Sequence, residues 1–232
     1  KGNPIPIYEY QMQREKLFKE ISRAYIVNMA TAAGLSQIQK NSVLSKKGDF
    51  SELQSTHILL CCFKSIFTYW ECESFSNLIR ACGGHGYSHY SGLPHILTEE
   101  FPHQILEGDN SVLLLQTARY LLKCLARVQK GNTSKITGFF KFILEMDKHM
   151  DFTLPQDEKM TSPENMIAAF RRATCYLVQK TGAKMFGLVQ KHKDAKLVWD
   201  TMVSNDCQRL SRVFAIQLIL ESAKERMETL QS

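Results

Sequence analysis

Apolar positions return every third or fourth residue through most of this chain. In residues 10–39 the series Leu17, Phe18, Ile21, Ala24, Tyr25 and Met29 predicts an amphipathic helix. Gly34 and Ser36 predict fraying near its end. Residues 41–50 carry Lys46-Lys47-Gly48-Asp49 and read as a loop, with Asp49 or Ser51 as N-cap of a helix over about 52–81. Gly83, Gly84 and Gly86 stop that helix, because three glycines in four positions make continuation costly. Residues 88–106, with Gly92-Leu93-Pro94 and Phe101-Pro102, predict an irregular crossing.

Asp109 or Asn110 then caps a helix carrying Val112, Leu113, Leu115, Ala118, Leu122 and Leu125, ending near Gly131. The run Leu113-Leu114-Leu115 reads as core. Three more helices follow, at about 136–150, 163–191 and 194–230, with a loop over 151–162. No segment sustains the period-two alternation of a strand. The predicted class is all-α, in packed helical layers or bundles.

Composition narrows the function without choosing it. Of 232 residues, 44% are hydrophobic and 22% charged, as in an ordinary globular domain, and no apolar run is long enough for a membrane span. The net charge of +6 is spread along the helices without a dense basic run or an interleaved aromatic platform, which argues against nucleic acid as a partner. Seven cysteines, an odd number set mostly in apolar sequence such as Leu60-Cys61-Cys62-Phe63, read as small buried hydrophobes in a reducing compartment. The start, Lys1-Gly2-Asn3-Pro4, has no initiator Met and no secretory profile, so the chain is expected to begin inside a longer protein.

Two motifs carry chemistry. One is the glycine turn Gly83-Gly84-His85-Gly86-Tyr87-Ser88, where a backbone could approach a cofactor closely. The other is Glu107-Gly108-Asp109-Asn110, a carboxylate at the mouth of an apolar helix, suited to proton abstraction. Each has a plain structural reading too. The glycines can serve as a helix C-cap, Glu107 as a charge favoured by the helix dipole, and Asp109 as an N-cap. His85 alone more often satisfies local hydrogen bonds than performs chemistry. His89, His95 and His103 with Glu99 and Glu100 lack paired metal-ligand spacing, so no metal site is assigned. Cys82, Ser88 and Ser91 have no nucleophile elbow or base partner.

The stretch from Gly83 to Pro94, the acid motif, the following Gln116-Thr117-Ala118-Arg119-Tyr120-Leu121 and the opening Tyr10-Gln11-Met12-Gln13-Arg14 together resemble the acyl-CoA oxidases. These form the peroxisomal branch of the acyl-CoA dehydrogenase superfamily. The resemblance covers the first 130 residues well and thins afterwards, although residues 204–220 still resemble a helix of that family's second C-terminal helical domain. It implies two parts: residues 1–130 as the C-terminal α-domain with flavin loop and catalytic acid, and 131–232 as part of the second helical domain. The domains that precede this region in the family and help enclose its flavin are absent from the sequence.

The resemblance also implies the chemistry. Glu107 would be the base that removes the α-proton of a fatty acyl-CoA thioester, with FAD taking the β-hydrogen as hydride and dioxygen reoxidising it to give hydrogen peroxide. The product would be a trans-2-enoyl-CoA. The backbone N–H of Glu107 would help hold the thioester oxygen, and Gly108 would keep the substrate space open. Gly83, Gly84, Gly86 and, less directly, Asp109 would serve the cofactor. Pro102-His103-Gln104-Ile105-Leu106 departs from the small or hydroxyl residues usual before the acid, which bears on acyl-chain preference. A homodimer and a peroxisomal location are further implications. An electron-transfer flavoprotein as acceptor in place of dioxygen stays open, as does a non-catalytic interaction subunit on the same scaffold.

Overall fold

The structure is a computed structural model that describes residues 3–231. Lys1, Gly2 and Ser232, on which readings of the two chain ends rest, lie outside the described residues, as do the side chains at 158, 160 and 231. Helix α1 (Gln11–Lys46) does not fray at Gly34. It continues because α2 (Leu53–Ala81) crosses it there: a Cβ on Gly34 would lie 2.9 Å from the Phe63 ring. Close packing thus offsets the helical cost of glycine, and the expected loop over 41–50 shrinks to a few residues after Lys46. Neither Asp49 nor Ser51 caps α2. Its N-cap is Glu52, while the Asp49 carboxylate accepts a bond from the Ser51 N–H one turn earlier.

An amphipathic helix ordinarily turns its apolar stripe to the core, but α1 leaves Phe18, Ile21 and Tyr25 exposed. Its inward face holds Glu20, Ala30, Gly34 and Asn41. Burying Glu20 is possible because Asn77, Ser74 and Arg23 all donate to its carboxylate, and Arg23 also pairs with Glu73 at 2.7 Å. Burial would raise the Glu20 pKa, yet these hydrogen bonds and the guanidinium charge prevail and hold it below the usual carboxylate range.

After α2 the expected irregular crossing is largely helical. It contains α3 (Gly84–Tyr87), a 3₁₀ turn at His89–Ser91, α4 (Leu93–Glu100) and another 3₁₀ turn at Phe101–Gln104. Pro94 and Pro102 do not break these pieces, since each sits in a first turn where no N–H is needed. Helix α5 (Asn110–Gln129) follows, then a 3₁₀ helix (Gly138–Glu145), α6 (Met146–Met150), α7 (Pro163–His192), α8 (Ala195–Thr201) and α9 (Ser204–Gln231). The helix expected over 136–150 begins as 3₁₀ because the three-residue repeat puts Phe140 and Ile143 on one face, both buried. The helix expected over 194–230 is cut at Met202–Val203, separating α8 from α9. No strand occurs among the described residues, in keeping with the all-α expectation.

Helix α9 occupies the centre, touching α1, α2, α5, α7 and α8. Leu210, Phe214, Leu218 and Ile219 meet Leu59 of α2, Leu121 of α5 and Val178 of α7 in one core, where Phe140 and Phe142 stack on Phe214 and Tyr120 meets Phe140 edge-on. This core draws residues from both sides of Gly131. The cysteines behave as small apolar side chains: burial pushes Cys62 and Cys175 up to about 12, and Cys61, Cys124 and Cys207 up to about 11. Cys72 is half-buried and Cys82 exposed. Among the described residues no helix is long and apolar enough to cross a membrane.

Candidate functional site

The glycine turn closes the C-terminal end of α2. Gln13 of α1 donates to the Ala81 carbonyl at 3.1 Å, which fixes the last turn of α2 against the start of α1. Gly83 then adopts φ 57° and ψ −134°, a combination that L side chains rarely take. Gly86 is needed for a different reason: a Cβ there would lie 1.9 Å from the Ile79 carbonyl oxygen. Nothing lies within 4 Å of a Cβ built on Gly83 or Gly84, so the outer side of this backbone is open. His85 is exposed, and the rings of Tyr87 and Tyr90 stand almost fully in solvent.

The acid turn precedes α5. Asp109 is the N-cap, its carboxylate accepting from the N–H groups of Ser111 at 2.8 Å and Val112 at 3.2 Å. Asn110 is helical and buried. Glu107 has φ 61°, a left-handed conformation uncommon for a residue other than glycine, and its side chain is exposed. Gly108 has φ 109°, and a Cβ there would meet Leu113 at 3.2 Å. Among the described residues the Glu107 N–H has no hydrogen-bond partner.

What holds this turn is Lys64 of α2, a residue the motifs do not announce. Its ammonium donates to the Gln104 carbonyl at 3.2 Å, the Gly108 carbonyl at 2.6 Å and the Asn110 side-chain oxygen at 2.9 Å. Thr68, one turn on, accepts from the Asn110 amide at 2.8 Å, and Ser65 donates to the Asn110 carbonyl at 3.3 Å. Desolvation lowers the Lys64 pKa, while the charges of Asp109 and Glu107 act the other way. The signal in the sequence was one lysine inside the apolar run from Ile58 to Phe67, with Thr68 four residues later on the same face.

A second clamp lies on the same face of α2. The His103 ring sits 2.7 Å from the Glu100 carboxylate and 3.6 Å from that of Glu71. The three side chains bring one potential ligand atom each within 4.8 Å of the others. Burial and the neighbouring Glu100 push Glu71 above the usual carboxylate range. Of the other residues weighed as metal ligands, His95 and Glu99 pair separately on the surface, and His89 joins neither group.

The two motifs are not adjacent within one chain. Lys64 lies on α2 and Cys82 is its C-cap, and at 1.5 Å per residue their separation along the helix is roughly 27 Å. Gly83, Gly84 and Gly86 therefore do not wall the space in front of this chain's own Glu107. A groove of about 1360 Å³ opens elsewhere, between α5, α7 and α8, over Leu122, Met185, Phe186, Val189 and Trp199. It borders the second half of α5, away from the acid turn.

Comparison with known proteins agrees with these motifs. A family model described as acyl-CoA oxidase, C-alpha1 domain, matches residues 1–122, and one described as acyl-CoA oxidase matches residues 162–232. Human peroxisomal acyl-coenzyme A oxidase 1 is 29% identical over 237 aligned residues, covering 99% of this chain and 35% of that protein. The crystal structure of acyl-CoA oxidase-1 from Caenorhabditis elegans, complexed with FAD and ATP, superposes with a TM-score of 0.84 at 28% identity, over 99% of this chain and 34% of that one. Acyl-CoA oxidase 1 of Arabidopsis thaliana shares the fold, with a TM-score of 0.82 at 20% identity, over 92% of this chain and 32% of that one. The chain thus spans about a third of the length of these relatives. With more than half of its residues matched by the C-alpha1 domain and its last 71 by a second model of the same group, the chain belongs to the acyl-CoA oxidase family.

Proposed function

We propose that this chain is the C-terminal helical part of an FAD-dependent acyl-CoA oxidase acting in fatty acid β-oxidation, with residues 1–130 and 131–232 as its two family segments. The observation that carries the reading is the acid turn: a carboxylate in a left-handed turn, anchored from beneath by Lys64 and open to solvent above. Glu107 takes the α-proton of a fatty acyl-CoA onto its carboxylate. That proton is only weakly acidic, so charge developing on the thioester oxygen must be met by a donor, and the unpartnered state of the Glu107 N–H supports its serving as one. Gly108 keeps a side chain out of the approach.

The residues fit a flavin on one point of geometry, the open outer backbone of Gly83 and Gly84, with Gly86 fixing the turn behind them. Bound there, FAD would supply the acceptor for the β-hydrogen and a route for its electrons to dioxygen, which would give hydrogen peroxide. Asp109, already engaged as an N-cap, reaches the cofactor only through its outer oxygen. The separation of the two turns and the exposed stripe Phe18, Ile21 and Tyr25 support a homodimer in which one protomer's glycine turn serves its partner's acid turn. A peroxisomal location follows the naming of the human relative.

The test uses the full-length protein supplied with FAD and a fatty acyl-CoA under air. Peroxide should form, and Glu107→Gln should slow acyl-CoA-dependent flavin bleaching by about 10²- to 10⁴-fold while flavin stays bound. Bleaching at the wild-type rate in Glu107→Gln overturns the assignment of the base. A wild-type protein that holds no flavin and forms no peroxide overturns the enzymatic reading and leaves a helical interaction subunit. Bleaching without peroxide points to an electron-transfer flavoprotein as acceptor.

A further inference from the structure

We propose that Lys64 is a positioning residue for Glu107: its ammonium ties both ends of the acid turn to α2 and so fixes the direction in which the carboxylate points. This rests on the reading of Glu107 as the base. An ammonium has three N–H donors, and here three oxygens receive them, from Gln104 before the acid, Gly108 after it and Asn110 at the start of α5. Every polar hydrogen of the group is spent on the segment that contains Glu107. A neutral amine has only two donors and would leave one of these oxygens without its partner.

The backbone explains why such a tie is required. A left-handed non-glycine residue is strained, and an exposed turn left to itself would relax out of that conformation. Lys64 grips both sides of Glu107, so the strained residue is bracketed while its own side chain stays free. Arginine would not reproduce the arrangement, because its planar fork suits two parallel acceptors and not three oxygens gathered around a point charge. Ser65 and Thr68, which follow Lys64 on α2, hold Asn110 and complete a polar seat on an otherwise apolar stretch of that helix.

The chain of 232 residues allows a test that needs no substrate. The amides of Ile105, Leu106 and Ser111 are hydrogen-bonded on either side of Glu107. In Lys64→Met their hydrogen exchange should quicken at least about tenfold, with the buried amides of α5 and α9 unchanged. In the full-length enzyme, the same variant should lose about 10²-fold in the rate of flavin reduction with KM moved less than about twofold, the mark of a displaced reacting group. Should Lys64→Met not fold, Lys64→Arg replaces it, and the same quickening is expected. Unchanged exchange at these three amides overturns the anchoring, whatever the activity. Faster exchange with an undiminished flavin-reduction rate overturns the link to Glu107. A wild-type enzyme that oxidises no acyl-CoA overturns the base assignment instead, and the exchange result then decides the anchoring alone.

Discussion

Glu20 illustrates how one residue can carry both fold and pH response. Its carboxylate is buried between α1 and α2 and accepts from Asn77, Ser74 and Arg23. Because its folded pKa lies below the ordinary 4.5, its contribution to stability is in place above that value and is withdrawn as pH falls through the lower folded value. Glu20→Gln should therefore flatten the acid limb of stability against pH and destabilise the protein near pH 7 by about 1–3 kcal/mol, measured by urea unfolding. At this scale the sequence was readable wherever the constraint was local. Gly83 and Gly108 sit at positive φ, and Asp109 caps its own helix through Ser111 and Val112, two and three residues on. Lys64 was hidden because its three partners lie 40 to 46 positions away, and a lone lysine in a helix reads as surface.

Helices were legible as helices, but their faces and ends were less so. The stripe Phe18, Ile21 and Tyr25 has the right period and faces outward, while a polar network takes the inner side of α1. Hydrophobicity alone could not identify that inner face, since Glu20 and Arg23 are made acceptable there by each other and by partners on α2. The break between α8 and α9 carries no glycine or proline; it is set by Val203, fully buried beside Ala118, Val198 and Cys207. If the exposed stripe of α1 meets a second copy, replacing Phe18 and Tyr25 together by Glu should convert dimer to monomer in sedimentation. Unfolding of the monomer should shift by no more than about 0.5 kcal/mol per exposed site. A stable dimer in that variant would place the interface on another face.

On the scale of the whole molecule, the stretches before and after Gly131 share one interior. Leu59 and Leu121 from the first meet Phe140, Leu218 and Ile219 from the second, and Ser211 of α9 donates to the Leu114 carbonyl of α5 in the buried centre. Residues 1–130 produced alone should consequently show no cooperative thermal transition, whereas the chain of 232 residues should unfold in a single step followed by circular dichroism. A sharp transition in the shorter piece would show that it completes its own interior. Gly131 was readable as a turn, but the sequence held no sign that the helices beyond it would pack back between those before it, because such pairing depends on matched shapes far apart in the chain.

The central place of α9 also orders events during synthesis. Helices α1, α2 and α5 leave the ribosome with their inner faces uncovered, and the strip that covers them is made after all three. Throughout translation of α7 the newborn polypeptide displays Leu59, Phe63 and Leu121 to solvent, which makes that interval one in which a chaperone has much to grasp and a neighbouring nascent chain much to stick to.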